Sequence, residues 1–131
     1  MRKKKIILIF ASTNLFLGLL VYVLLDRNII LFKSFNFPNS INSLYLNQLR
    51  NYLSDFFYML FICSICHFYH LIKIQKAYIF LILLSPILHE SLQFFFLSLG
   101  TFDLFDLIVF VLVSLIYYFP IYNYIEKNIN P

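Results

Sequence analysis

The sequence predicts an all-α polytopic membrane protein: four transmembrane helices, with a short interfacial helix between helices 1 and 2. Three observations predict it. Hydrophobic residues make up 62% of the chain and charged residues 12%, against about 45–50% and about 25% in a soluble domain. A soluble fold of 131 residues has too little interior to hide that much apolar surface, whereas lipid can cover it. The apolar residues fall into four runs, each long enough at about 1.5 Å per residue to cross a hydrocarbon core of about 30 Å. Lys and Arg cluster at the ends of these runs, where they act as topology signals. The net charge of +4 therefore does not point to nucleic acid. A single membrane domain is expected over residues 1–131, with no soluble domain.

Helix 1 is expected over residues 6–25, directly after the cluster Arg2-Lys3-Lys4-Lys5. This run carries no charge and is too long for the apolar part of a signal peptide. Asn14 is its one strongly polar interior residue and is expected to face another helix. Residues 26–52 form the longest connection. Asn36-Phe-Pro38-Asn39 reads as a turn. Ile41, Leu44, Tyr45, Leu49 and Tyr52 then fall at helical spacing with polar residues between them. That pattern suits a helix in the membrane interface, capped by Ser40, or else a polar loop.

Helix 2 is expected over 53–72, with Asp55 near its start, followed by a short basic loop at Lys73–Lys76. Helix 3 is expected over 77–99. Pro86 inside it removes the backbone bond to Ile82, which predicts a kink. Gly100–Asp103 makes a tight link to helix 4, over 104–122, which Pro120 is expected to terminate. The tail from Asn123 onward is polar and expected to fray.

Four spans put both termini on one side. That side carries Arg2, Lys3, Lys4, Lys5, Lys73, Lys76 and Lys127; the other carries Arg27, Lys33 and Arg50. The bias predicts cytoplasmic termini. Asp55, Glu90, Asp103 and Asp106 then lie near the outer face.

These carboxylates are the candidate functional residues. A charged group beside lipid costs a few kcal/mol even on lenient scales, so such groups tend to face protein or water. Glu90 and Gln93 share a face of helix 3, and Asp103 and Asp106 share a face of helix 4. Two readings stand. In one, Asp103 caps helix 4 and the others snorkel or make structural hydrogen bonds. In the other, Asp55, Glu90, Gln93, Asp103 and Asp106 form a binding cluster with Arg50 as counter-charge. Crowded carboxylates need a cation, shared protons or an arginine. Nothing in the sequence requires a metal or a cofactor.

Cys63-Ser-Ile-Cys66-His67-Phe-Tyr-His70 contains the C-x-x-C-H pattern of c-type haem attachment, and its four side chains share a helix face. The motif lies inside a span toward the cytoplasmic end, on the wrong side for haem attachment, and one rigid helix cannot wrap four ligands round a metal. Buried cysteines and interface-facing histidines are the expectation. His89 points about 100° away from Glu90 on the helix and ranks below Gln93 as its partner. No established catalytic signature is present, and the catalytic residues of any enzyme reading are unknown.

Glu90-x-x-Gln93 followed by Gly100-Thr101-Phe102-Asp103-x-x-Asp106 resembles the signature of VanZ-like membrane proteins. Those carry E-x-x-Q, a short spacer, a G/R-x-F-D-x-x-D element and a final helix. Arg50-Asn51-Tyr52-Leu53-x-Asp55-Phe56 is similar to the family's segment before its second helix. The resemblance covers residues 49–118 and fits four spans. The chain departs where family members often have Asn and Gly after the second aspartate; Phe110 and Val113 stand there. The resemblance implies a multi-pass protein of the bacterial inner membrane and cell envelope, and it names no reaction. Richness in Ile, Asn, Lys, Phe and Tyr matches an AT-rich bacterial genome.

The expected function is an outward-facing acidic and amide cluster that recognises a lipid head group, a lipid-linked sugar or a cation. The alternative is a small accessory subunit packed into a larger membrane complex. The expected partners are accordingly membrane lipids or a membrane protein.

Overall fold

The computed structural model describes residues 2–24, 43–96 and 102–128. Among them the chain is helical, with α1 at Arg2–Leu24, α2 at Ser43–Leu71, α3 at Lys76–Phe95 and α4 at Leu104–Ile116. A π-helical turn at Tyr117–Tyr122 joins α4 to α5 at Asn123–Asn128. Four stretches are long and apolar enough to cross a membrane: Arg2–Val21, Asn51–Leu71, Lys76–Phe95 and Leu104–Asn128.

The central helix is α2, which packs against α1, α3 and α4. The core forms between Met59, Leu60, Ile62, Cys63 and Cys66 of α2 and Phe110, Val113 and Tyr117 of the last span. Phe110 and Val113, where Asn and Gly were the comparison, are thus packing residues. The buried stripe of α1 is Ile7, Ala11, Asn14 and Gly18, at alternating steps of four and three. Gly18 lets α1 approach closely: a Cβ there would sit 3.3 Å from Phe57 Cβ and 3.5 Å from the Ser54 carbonyl. Asn14 is buried, and its amide donates to the Phe10 carbonyl of its own helix at 2.7 Å.

Several expectations change. Residues 43–52 are helical and form the first turns of α2, so among the described residues no separate interfacial helix precedes the span. At 29 residues α2 is about 43 Å long, more than the apolar layer needs. The expected turn at residues 36–39 and the Ser40 cap lie outside the described residues, as do Gly100 and Thr101. The third span closes at Phe95 rather than at residue 99, because Phe96 leaves helical geometry with φ −126° and ψ 89°. α3 runs continuously through Pro86, where the Ser85 hydroxyl donates to the Ile82 carbonyl at 2.8 Å, supplying the bond that the missing proline N–H cannot.

Pro120 does not terminate the last span. The wider π turn makes room for its ring, and the chain continues helically to Asn128. The tail is therefore not frayed over these residues: Ile125 is buried and Glu126 bonds back to α1 and α2.

The α2–α3 turn closes with Lys73 at φ 62°. Its N–H donates to the His70 carbonyl at 3.1 Å, and the N–H of Ile74 donates to the Tyr69 carbonyl at 3.0 Å. This is the helix stop in which glycine is the usual left-handed residue. A side chain there costs about 1 kcal/mol, offset in part by the unfolded-state entropy that glycine adds. Lys73→Gly should therefore stabilise the protein by about 0.5 kcal/mol, raising the midpoint of reversible unfolding in denaturing detergent.

Candidate functional site

The buried residues of α3 are Pro86, Glu90 and Gln93. Large apolar side chains of the same helix point outward, with Phe94 at 64% and Phe95 at 73% exposure. The helix thus hides Glu90 and Gln93 while showing large apolar side chains, the reverse of a soluble helix.

Glu90 Oε1 accepts the backbone N–H of Asp103 at 2.7 Å. Asp103 in turn caps α4: its Oδ1 accepts the N–H of Phe105 at 2.8 Å, as its position predicts. Its other oxygen receives the hydroxyl of Tyr52 on α2 at 3.4 Å. Three helices therefore meet through Asp103, and both carboxylates sit at the positive end of the α4 dipole.

Beside this knot lies a cavity of 640 Å³, lined by Asp55, Tyr58, Ser85, Pro86, His89, Glu90, Gln93, Asp106 and Phe110. Gln93 Nε2 lies 3.2 Å from His89 Nε2, so His89 partners Gln93 here. The carboxyl groups of Asp55 and Asp106 lie within hydrogen-bonding reach of each other. As two carboxylates neither has a hydrogen to give, and the buried Oδ1 of Asp106 receives no donor among the described residues. This pair calls for a shared proton or a donor brought by a ligand.

The structure thus brings together Asp55, Glu90, Gln93 and Asp106 on one cavity and sets Asp103 behind them as cap and junction. The Arg50 side chain lies outside the described residues, and with it the expected counter-charge. Sequence reasoning missed Tyr52, Tyr58 and Ser85. The signal for Tyr52 was its place one turn before Asp55 on the same face.

A second polar chain lies at the opposite end. Lys3 Nζ is 3.0 Å from Glu126 Oε2 and also donates to the Glu126 carbonyl at 3.1 Å. Glu126 Oε1 is 3.0 Å from His67 Nε2, and His67 Nδ1 is 3.1 Å from the Tyr117 hydroxyl. Because the carboxylate accepts, we assign the proton to Nε2, and Nδ1 then accepts from Tyr117. His67 is 1% exposed, which corrects the expectation that it faces the interface; His70 is exposed. Burial of His67 is possible because both nitrogens find partners. Cys63 and Cys66 are buried free thiols, and among the described residues no three His, Cys, Asp or Glu side chains converge to hold a metal.

Comparison with models of protein families, with curated proteins and with solved structures finds no match.

Replacing Glu90 by Ala leaves the Asp103 N–H without its carboxylate. It should cost about 1–3 kcal/mol in reversible unfolding, whereas Glu90→Gln keeps an acceptor and should cost less than half as much. Equal midpoints for wild type and Glu90→Ala would mean that this bond holds nothing together.

Proposed function

We propose that this chain is a VanZ-like protein of the bacterial inner membrane whose acid-lined cavity receives the sugar head group of a membrane lipid. The observation that carries the reading is the buried Asp106 Oδ1, which receives no donor among the described residues, on a cavity that Asp55, Glu90 and Gln93 also line. The walls are rich in acceptors, so the fitting ligand is rich in donors: hydroxyl groups rather than phosphate oxygens, which three carboxyl groups would repel. A volume of 640 Å³ suits a small-molecule head group better than a bare cation. Tyr58 and Phe110 supply apolar surface against which a sugar ring can lie.

Sidedness follows from the charges. The Lys3–Glu126 pair joins the two ends of the described chain at one end of the bundle. Lys73 and Lys76 sit at that same end, in the turn after α2 and the first turn of α3. The positive-inside tendency assigns this end to the cytoplasm, and the cavity end to the outer leaflet. The family assignment rests on the short motifs around Glu90, Gln93, Asp103 and Asp106 alone.

An accessory subunit is the second reading. It is favoured by the aromatic surface of Phe94, Phe95 and Phe105 near the cavity end, which suits a bulky partner as well as lipid.

Mass spectrometry of material co-purified under mild extraction separates the two. The head-group reading expects a glycosylated lipid in near-stoichiometric amount, reduced about tenfold in Gln93→Leu, which loses one buried hydrogen-bonding amide. A stoichiometric protein, with the chain degraded in its absence, would instead establish the subunit. Bulk lipid alone, unchanged in Gln93→Leu, would overturn the head-group reading.

A further inference from the structure

A cavity of 370 Å³ opens at the basic end of the bundle, remote from the acid-lined one. Ile79 and Phe80 of α3 and Tyr118 and Tyr122 of the π turn line it, with the exposed His70 and Lys76 among its walls. Its interior is apolar and its exposed polar groups are basic. His67 forms part of its floor, but both ring nitrogens are committed to Tyr117 and Glu126. Glu126, the one carboxylate at this end among the described residues, is bonded to Lys3 and His67.

Two further features converge here. The first turn of the 20-residue α3, which carries Lys76, begins at Gln75, whose side chain does not cap it. In the adjoining turn a lysine holds the left-handed position at φ 62° where glycine would be unstrained. A second lysine thus stands in the exposed turn before α3, despite the conformational cost of its position.

We propose that this cavity seats an anionic phospholipid. Its phosphate lies against Lys76, His70 and the α3 N-terminus, and its upper acyl segment lies against Ile79, Phe80, Tyr118 and Tyr122. The occupant is a lipid rather than a soluble anion because most of the wall is apolar and lies at the level where head groups sit. Basic pockets between membrane helices on the cytoplasmic side are suited to lipid phosphate. This site is independent of the sugar reading, and neither falls with the other.

The full chain in nanodiscs of equal phosphatidylglycerol and phosphatidylcholine, released and weighed by native mass spectrometry, tests the assignment. Retained adducts should be enriched in phosphatidylglycerol. Lys76→Gln should cut that enrichment about fivefold and Lys76→Arg should preserve it. Lys76 is exposed at a helix start, so neither change threatens folding. Equal retention of the two lipids, or an enrichment unchanged in Lys76→Gln, would overturn the proposal. Binding of inorganic phosphate by lipid-free protein, with the same dependence on Lys76, would overturn the lipid as occupant.

Discussion

The hydrogen bond from the Asp103 N–H to Glu90 Oε1 is the contact on which the cavity end of the bundle depends. Lipid offers no partner for a backbone amide or a carboxylate, so each must be satisfied within the protein. One 2.7 Å bond does this for a helix-terminal donor and a buried acid together. It also fixes the α3–α4 corner, and so decides where Gln93 and Asp106 stand relative to Asp55. Tyr52 extends the same junction to α2. A bond to a charged group is worth about 1.5–3 kcal/mol, more than most single contacts in so small a bundle.

The two ends of the molecule solve the same problem differently. At the basic end, Lys3, Glu126, His67 and Tyr117 pair completely, and their chain ties α1, α2 and the last span together. At the other end Asp106 Oδ1 is buried and receives no donor among the described residues, next to Asp55 and an open cavity. Structural polar networks favour full satisfaction, because a half-satisfied one costs more than an apolar core. On the proposed reading, a ligand completes the bonding at the acid-lined end.

Hydrophobic runs made the four spans legible, since crossing length and composition alone decide them. The stripe carrying Glu90 and Gln93 and the capping position of Asp103 were equally readable from helical spacing. The continuation through Pro120 was not, because the local rule that proline ends a helix competes with a π turn that only the packing of Tyr117 and Ile125 makes worthwhile. His67 was misread for a related reason. Its partners lie 50 and 59 positions away, and a buried histidine is inexplicable until both appear. Spacing held part of the answer: Asp106, Phe110, Val113 and Tyr117 form one inward stripe at steps of four and three, so Tyr117 had to face the core.

The central claim is that water and a polar ligand reach the middle of the bundle from the outer side. Ser85 lines the cavity halfway along α3. The most direct measurement is labelling of Ser85→Cys, in a chain with Cys63 and Cys66 replaced by Ala, with a membrane-impermeant thiol reagent in sealed vesicles of known orientation. The account predicts labelling from the side opposite the termini. Labelling only from the side of the termini, or a thiol that reacts no faster than one facing lipid, would contradict it.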